Sequence, residues 1–294
     1  MAPRSHGTAA VIGASGFLGR ALTRRLECAG THVVRVTRQE PALSPGGHLR
    51  PDLASARTLY WAASRINPLI ASQRPDLVAA DLADFTRFLD AVHAENPAAR
   101  VVVLSSGGTV YGVAHTPPHD ETTTPRPANE YGRAKLAIED RLHRHDLASS
   151  VVRISNAYGP GQQAAPGQGV IGHWLRSVRA GLPVTVFGDL DTVRDYVYVD
   201  DVVDALALLH DVPSLPATLN VGTGAPTTLA QVVEAINDVV GPRRLQVVLA
   251  PRRPFDIPAS WLDVGLAAST LGWTAQVPLG EGVQAMWRWL STTD

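Results

Sequence analysis

"GASGFLG", residues 13–19, is the stretch that decides the fold of this chain. It follows an apolar run at 8–12 that predicts a short buried strand, and it opens a segment whose apolar residues recur at helical spacing. Glycines permit the tight turn and let backbone N–H groups approach a pyrophosphate, whose charge is favoured at a helix N-terminus. The spacing departs from the general G-x-G-x-x-G fingerprint, so the prediction of a dinucleotide loop depends on the strand–loop–helix context. The predicted cofactor-binding residues are Gly13, Ser15, Gly16, Phe17, Leu18 and Gly19.

The end of the next strand bears on which dinucleotide binds. A continuous β-branched run at 31–36 predicts a strand that is covered on both faces. An NAD-binding fold usually places Asp or Glu at its end, to bond the ribose 2′-hydroxyl. Here Thr37 and Arg38 follow, so a 2′-phosphate meets no repulsion and can pair with the planar guanidinium of Arg38. These residues favour NADP(H), while NAD(H) stays open, because Arg38 can equally be a solvated loop residue.

Strand and helix patterns alternate along the first half of the chain. Further strands are predicted at 59–62, 101–104 and 151–154, with helices at 77–92 and 131–145 between them. This alternation predicts an α/β fold with a Rossmann-like, doubly wound parallel sheet. Beyond the last of these strands the patterns become short and mixed, which predicts a smaller mixed α/β C-terminal domain.

Bulk composition excludes several classes of protein. The chain has 294 residues, 45% of them hydrophobic, and a formal net charge of −1, so it can bury a large core and has no basic block for a nucleic-acid partner. No apolar run approaches the ~20 residues of a membrane-spanning helix. The N-terminal residues MAPRSHG lack the apolar region of a signal peptide. A cytoplasmic protein without membrane association is therefore expected.

Cysteine and histidine usage argues against a metal site. Cys28 is the single cysteine, which excludes an internal disulfide and a cysteine-based zinc site, and its apolar neighbours predict that it is buried. His115, His119 and Asp120 lie in a Pro-rich loop, and no second cluster completes a ligand set. We predict no bound metal. The adjacent pair at 200–201 is interpreted as helix capping.

"EYGRAK", residues 130–135, places Tyr131 and Lys135 on one face of a predicted helix. A nearby ammonium favours the phenolate, so such a tyrosine can exchange a proton with an alcohol or carbonyl near neutral pH. The lysine can also reach a nicotinamide ribose. The pair follows the glycine loop and the strand that ends at Ser105 and Ser106, which makes a catalytic role the stronger interpretation.

The chain resembles the extended short-chain dehydrogenases/reductases of the nucleotide-sugar epimerase/dehydratase family. The resemblance covers nearly the whole chain and is carried by seven motifs: "GASGFLG", "SSGGTVYG", "YGRAK", "RISNAYGPGQ", "VFGDLDTVRDYVYVDD", "NVGTG" and "RRPFDIPASWLDVGLAASTLGW". It implies an NAD(P)-binding domain at 1–155 plus about 195–222, and a nucleotide-sugar-binding domain at about 156–194 plus 223–294. It also implies a homodimer.

The resemblance further implies roles for individual residues. Asn156, Arg194 and Arg253 match positions that hold the substrate diphosphate, and Asp256 closes the Arg-x-x-Asp pattern. Phe187 matches a residue that packs against the base, and Asp52 matches a carboxylate that contacts the adenine amine. Ser260 stands where epimerases that exclude N-acetyl sugars carry a bulky Tyr, so the serine leaves room for a larger substrate.

"SSGGTVYG", residues 105–112, departs from the family pattern. Gly107 stands where a Ser or Thr hydroxyl usually bonds the reacting sugar oxygen, and Gly108-Thr109 replaces the Asp-Glu pair of 4,6-dehydratases. Elimination of water needs acid and base groups, so a dehydratase is disfavoured. We expect Thr109, with Ser106 as second candidate, to supply the missing hydroxyl; alternatively, Thr109 packs inertly and Tyr131 acts alone.

Three functions are compatible with these residues. The first is NADPH-dependent reduction of a nucleotide-linked keto sugar, a 4-keto-6-deoxyhexose of dTDP or UDP, with Tyr131 as proton donor. The second is a redox-neutral, NAD-dependent UDP-hexose 4-epimerase. The third is a non-catalytic NAD(P) sensor. Thr37, Arg38 and Gly107 favour the first.

Overall fold

The computed structural model describes residues 7–113, 116–164, 169–251 and 257–293. In chain order the first half contains β1 (Ala9–Ile12), α1 (Phe17–Cys28), β2 (Val33–Val36), a 3₁₀ turn (Pro51–Leu53), β3 (Thr58–Trp61), α2 (Pro68–Gln73), α3 (Pro75–Glu95), β4 (Arg100–Ser106), α4 (Gly107–Val110), α5 (Glu130–His143) and β5 (Ala148–Ile154). The second half contains β6 (Asn156–Tyr158), α6 (Val170–Ala180), β7 (Val184–Phe187), β8 (Val193–Arg194), β9 (Tyr196–Tyr198), α7 (Val199–Asp211), β10 (Thr218–Val221), β11 (Thr227–Thr228), α8 (Leu229–Val240), β12 (Val247–Ala250), β13 (Ala259–Ser260), α9 (Gly265–Leu271) and α10 (Leu279–Thr293).

The chain divides into two compact units. The first comprises Met1–Ser106, Glu130–Arg153 and Val203–Leu219, and the second comprises Gly107–Asn129, Ile154–Val202 and Asn220–Asp294. These units are defined by compactness alone, and the functional domain boundaries drawn from the resemblance remain a prediction.

The first unit is built around a six-stranded sheet of order β10-β5-β4-β3-β1-β2. β1 pairs in parallel with β2 on one side and with β3 on the other, and β3 pairs in parallel with β4. The strand order therefore reverses at β1, the position at which doubly wound sheets bind ligands beyond the carboxyl ends of their strands. The predicted α/β class and Rossmann-like parallel sheet are confirmed.

Apolar side chains on both faces of the sheet hold this unit together. Residues 101–103 of β4 are at most 1% exposed, which explains why the strand reads as a continuous apolar run. The ring of Trp61 lies with its centroid 5.1 Å from that of Phe85 and 5.0 Å from that of Phe88, so α3 packs directly on β3. The strands whose carboxyl ends carry the glycine loop thus lie in a closely packed interior.

Three local predictions are corrected. Cys28 is exposed rather than buried, because it lies about 200° around α1 from the buried Leu26. β2 begins at Val33 rather than at residue 31, because the Thr31 N–H is bonded to the Leu26 carbonyl at the end of α1. Asp201 does not act as a simple cap: its carboxylate accepts the N–H groups of residues 276 and 277, both at 3.0 Å, and so tethers the segment before α10.

The second unit contains small sheets and a group of three helices that pack together. β8 pairs antiparallel with β11 and parallel with β13, β7 pairs with β12, and β6 pairs with β9. α6, α8 and α10 pack against one another. Within the described ranges, no helix has the length and apolar character needed to cross a membrane.

A buried histidine in the first unit makes stability depend on pH. His210 is 1% exposed, its Nδ1 lies 3.0 Å from the Thr58 hydroxyl, and its Nε2 lies 3.1 Å from the Gly7 carbonyl. Burial lowers the pKa of His210 below its ordinary value. Below about pH 6.5 the unfolded chain therefore binds a proton that the folded protein resists, and the free energy of unfolding falls.

We expect the His210→Gln variant to lose part of this pH dependence. Urea titrations between about pH 7.5 and 5.5, the range around the ordinary histidine pKa, measure it. The decline in unfolding free energy should be smaller than in the parent protein. His173→Gln, at an exposed position, is the control and should keep the parent slope. Equal slopes in the parent protein and the His210 variant would contradict this assignment.

Candidate active site

The glycine loop closes tightly over the end of β1. Gly13 has φ +92°, and its N–H donates to the Val36 carbonyl at 3.0 Å. A Cβ on Gly13 would lie 2.7 Å from the backbone nitrogen of Ala63, and one on Gly19 would lie 2.1 Å from the Gly13 carbonyl oxygen. Both positions therefore require glycine, because the backbone leaves no space for a side chain.

The start of α1 presents backbone donors to this loop. Gly16 precedes the helix and carries no side chain that could bond the N–H groups of the first turn, at Phe17 and Leu18. Ser15 and Gly16 are exposed, while Gly19 is buried against the loop. This arrangement of a strand, an open turn and an uncapped helix N-terminus is suited to a pyrophosphate.

Arg50, which the sequence analysis did not single out, links the two segments predicted to bind the adenosine half of the cofactor. These are the end of β2 with the turn after it, and the 3₁₀ turn that carries Asp52. Its guanidinium donates to the carbonyls of Arg35 and Glu40, at 3.2 and 3.1 Å, and to the Asp52 carboxylate at 2.7 Å. Asp52 is exposed in the 3₁₀ turn, and Arg50 thereby brings it to the end of β2. No periodicity or motif singles out this arginine in the sequence.

The turn after β2 leaves Arg38 in solvent. The Thr37 N–H donates to the Glu40 carbonyl at 3.1 Å, and the Glu40 N–H donates to the Thr37 hydroxyl at 3.3 Å. These two bonds close a short loop with Arg38 exposed at its tip. Arg38 is thus available to an anion at the end of β2, as the choice of NADP(H) would require.

Tyr131 and Lys135 lie in the first two turns of α5. Lys135 is 7% exposed, and its Nζ lies 5.6 Å from the centroid of the Tyr131 ring. The described residues place no carboxylate within ion-pairing distance of this ammonium. Burying a charge without a partner is costly, so a ligand that accepts hydrogen bonds from Lys135 would be stabilising here. The predicted helical pair is present, with the two side chains side by side.

The "SSGGTVYG" segment contributes to both compact units. Ser106 ends β4 in the first unit and is half-buried, whereas Thr109 lies in the single turn of α4 in the second. The Thr109 hydroxyl is buried and finds no hydrogen-bond partner among the residues that the structure describes. An unpaired buried hydroxyl costs about 1–3 kcal/mol, so a hydrogen bond from a bound ligand to Thr109 would be stabilising.

Asn156 lies behind the second glycine of that segment. A Cβ on Gly108 would be 3.4 Å from the Asn156 Oδ1, an ordinary contact. The Asn156 N–H and Nδ2 both donate to the Asp195 carbonyl, at 3.0 and 2.9 Å. The side chain of Asn156 is therefore held in a defined orientation within the second unit.

Asp195 is a second residue that the sequence reasoning missed. It is 1% exposed, and its carboxylate accepts from the Thr223 N–H at 2.8 Å, the Thr223 hydroxyl at 2.7 Å and the Ser155 hydroxyl at 3.2 Å. A Cβ on Gly222 would lie 2.4 Å from its Oδ2. Asp195 follows Arg194 in the chain and binds Ser155, which precedes Asn156, so it orders the chain next to two of the candidate diphosphate residues. Its position in the motif "VRDYVYVDD" was the signal by which the sequence could have indicated it.

Of the remaining predicted substrate residues, Arg194 and Ser260 lie on neighbouring strands, whereas Phe187 lies in a different pair of strands. Arg194 in β8 pairs in register with Ser260 in β13, which is 3% exposed. Phe187 ends β7, is 42% exposed and pairs in register with Ala250. Arg253 and Asp256 lie outside the described residues, as does His115. In the described ranges no group of three His, Cys, Asp or Glu side chains could hold a metal ion.

Together, the doubly wound sheet, the glycine loop and the Tyr-x-x-x-Lys helix define a dinucleotide-binding α/β protein of the dehydrogenase/reductase type. The sequence profile of the NAD dependent epimerase/dehydratase family matches residues 9–222, and the chain belongs to that family. The predicted family and the prediction of an enzyme of this class are confirmed.

Individual relatives carry different activities. The chain is 37% identical over 188 residues to a UDP-glucose 4-epimerase of Mycolicibacterium smegmatis, a match that spans 63% of this chain and 60% of that protein. It is 31% identical to a dTDP-6-deoxy-L-talose 4-dehydrogenase (NAD(P)(+)) of Kitasatospora kifunensis, over 96% of this chain and 95% of the relative.

Solved structures agree over almost the full length. MoeE5 in complex with UDP-glucose and NAD superposes with a TM-score of 0.84 at 30% identity, covering 97% of this chain and 99% of that one. A Thermus thermophilus UDP-glucose 4-epimerase in complex with NAD gives a TM-score of 0.84 at 26% identity, covering 98% of this chain and 100% of that one. NAD is therefore the dinucleotide bound in these neighbours.

Proposed function

We propose that the protein reduces a nucleotide-linked keto sugar with NADPH, the substrate being a 4-keto-6-deoxyhexose of dTDP or UDP. The buried Lys135 ammonium beside the Tyr131 ring supports proton and hydride transfer to a sugar carbonyl. The observation that carries the choice of an NADPH-dependent reductase is Arg38, which is exposed at the tip of the turn after β2 and can pair with a 2′-phosphate. A bound cofactor would supply the hydride. The residues of this chain supply the proton, the positioning and the anion contacts.

Tyr131 and Lys135 have distinct roles in the proposed reduction. The Tyr131 phenol would give its proton to the carbonyl oxygen of the sugar as the carbonyl carbon receives the hydride that a bound cofactor would supply, so the ketone would become an alcohol. Lys135 stabilises the resulting phenolate, which regains its proton from solvent. Lys135 is also proposed to hydrogen-bond the nicotinamide ribose.

The second unit is proposed to hold the nucleotide sugar. Asn156, Arg194 and Arg253 would bind the diphosphate, whose oxygens suit fixed amide and guanidinium donors. Phe187 would pack on the base, and Ser260 would leave room around the hexose. The order that Asp195 imposes next to Asn156 and Arg194 supports this assignment.

A UDP-hexose 4-epimerase is the second candidate. The similarity to the Mycolicibacterium smegmatis epimerase and the NAD found in neighbouring structures favour it. The similarity to the Kitasatospora dehydrogenase and to an Escherichia coli dTDP-4-dehydro-6-deoxyglucose reductase, at 31% identity over 65% of this chain, favours the reductase. The two candidates use the same Tyr131 and Lys135.

The deciding experiment compares two reactions on the purified protein. The first follows NADPH absorbance with dTDP-4-keto-6-deoxyglucose, and the second follows interconversion of UDP-glucose and UDP-galactose with NAD. Consumption of one NADPH per ketone supports the reductase. Interconversion without net cofactor turnover would replace it by the epimerase, and cofactor binding with neither reaction would indicate the non-catalytic sensor. Homodimerisation and a cytoplasmic location remain predictions, the former measurable by light scattering.

Cofactor choice gives a specific prediction. Because Arg38 is exposed at the tip of the turn after β2, we expect Arg38→Ala to raise KM for NADPH about tenfold, as loss of a charge-assisted contact implies. KM for NADH should hardly change, since NADH lacks the 2′-phosphate. Arg20→Ala, another exposed arginine of the first unit, is the control. A lower KM for NADH than for NADPH in the parent protein would overturn the preference.

Thr109 is proposed to replace the hydroxyl absent at Gly107. Thr109→Val keeps the shape and removes the hydroxyl that is buried without a partner in the described structure. We expect kcat to fall about tenfold, the effect of one lost transition-state hydrogen bond, without loss of thermal stability. Thr227→Val, in the same unit, serves as control. An unchanged kcat for the Thr109 variant would show that Tyr131 acts alone or with Ser106.

A further inference from the structure

A buried charged cluster joins α5 to two neighbouring strands of the sheet. Glu139 is 1% exposed, and one of its carboxylate oxygens accepts a hydrogen bond from the Ser105 hydroxyl on β4. The other accepts from Nε and Nη2 of Arg153 on β5, at 3.1 and 2.7 Å. β4 and β5 are adjacent in the sheet, so one carboxylate is bonded to side chains of both.

Glu139 shares a helix face with the proposed reacting pair. Tyr131, Lys135 and Glu139 follow one another at intervals of four residues, which places them along one side of α5. With a rise of about 1.5 Å per residue, Glu139 lies about 6 Å along the axis from Lys135. The bonds of Glu139 therefore tie α5 to two neighbouring strands at a point about one helical turn from Lys135.

Stability alone does not account for this cluster. A buried carboxylate and guanidinium are costly to remove from water, and apolar residues of similar volume would hold a helix on a sheet at least as well. Hydrogen bonds to a carboxylate are directional and short, so they define a donor–acceptor geometry that apolar contacts constrain less sharply. The cluster thus provides a defined geometry for the helix that carries Tyr131 and Lys135.

We propose that Glu139, held by Ser105 and Arg153, is a positioning residue that sets the placement of Lys135 and Tyr131. The proposal rests on the roles given to that pair under the proposed function. It does not depend on which nucleotide sugar is converted, because Lys135 is also proposed to contact the cofactor.

The first test uses two serine-to-alanine variants of the same sheet. Ser105→Ala removes one hydrogen bond to Glu139 and keeps its ion pair with Arg153. Ser150→Ala is the matched control, because Ser150 is fully buried on β5 and its hydroxyl has no hydrogen-bond partner in the described ranges. We expect Ser105→Ala to raise the Kd of NADPH and to lower kcat about tenfold, less than the roughly 100-fold cost of a 1 Å misplacement. Ser150→Ala should change neither.

The second test asks whether the effect passes through Lys135. The Kd of NADPH, from fluorescence titration, is measured for Ser105→Ala, Lys135→Met and the double variant. If Glu139 acts by placing Lys135, the serine change has no further effect once the ammonium is gone. Additive effects on Kd, or equal effects of Ser105→Ala and Ser150→Ala, would overturn the proposal.

A charge-free variant separates positioning from folding. Glu139→Gln alone leaves the Arg153 guanidinium buried without its carboxylate and can fail to fold, so it is paired with Arg153→Met, which removes both charges. We expect the pair of substitutions to keep the far-UV spectrum and to raise the NADPH Kd at least as much as Ser105→Ala. Parent-like Kd in this folded variant would contradict the proposal. If no nucleotide sugar is turned over by the parent protein, the proposed function fails while these Kd values still decide the role of Glu139.

Discussion

Replacing Tyr131 by phenylalanine is expected to lower kcat by about 100- to 10,000-fold, the range that a positioned proton donor contributes. The ring should keep its place, because it packs in a cluster with Ile66, Ala71 and Ala134. The Lys135 ammonium should likewise remain beside it. Binding of NADPH should therefore change little, and the loss should appear in kcat. Steady-state kinetics and a fluorescence titration of NADPH measure the two quantities.

Tyr60→Phe is the matched control for the loss of a phenolic hydroxyl. The Tyr60 hydroxyl is fully buried and donates to the Leu206 carbonyl at 2.9 Å, and burial raises the pKa of this phenol. Its removal should lower the free energy of unfolding by about 1 kcal/mol and leave kcat unchanged. If Tyr131→Phe retained full turnover, the proton would have to come from another group, and the proposed mechanism would be wrong.

The second large effect is expected from Gly19→Ala. The added Cβ would lie 2.1 Å from the Gly13 carbonyl oxygen, which also accepts the Gly16 N–H at 2.9 Å. Either the loop or the start of α1 must move, and both present the N–H groups proposed to bind the pyrophosphate. We expect the Kd of NADPH to rise about 10- to 100-fold, which corresponds to the 1–3 kcal/mol typical of overpacking.

Gly280→Ala is the corresponding control. A Cβ there meets no atom within 4 Å, and the residue lies in the first turns of α10, where alanine is the better helix former. Its Kd for NADPH should equal that of the parent protein, and its thermal stability should not fall. A Gly19→Ala variant that bound NADPH as tightly as this control would show that the loop does not hold the cofactor.

Much of the first unit could be predicted because its signals are local. The strand, the glycine turn and the following helix are consecutive in the chain, and close backbone atoms require glycine at positions such as Gly13 and Gly19. The Tyr131–Lys135 pair is likewise four residues apart on a single helix. Where a prediction concerned the surroundings of a residue, as for Cys28 and Asp201, it was wrong, because the helix face and the partner segment depend on tertiary packing.

The amino-acid sequence by itself determined the α/β class, the family and the positions of the loop and the Tyr131–Lys135 pair, because these depend on periodicity and on short spacings. Only the tertiary structure decided which distant side chains meet. Arg50 binds Asp52 and the end of β2, and Glu139 binds both Ser105 and Arg153. The Asp195 carboxylate accepts hydrogen bonds from three other segments of the chain. The contact between Ser105 and Glu139 joins residues 34 positions apart, and a buried polar group takes whichever partner the packed fold presents.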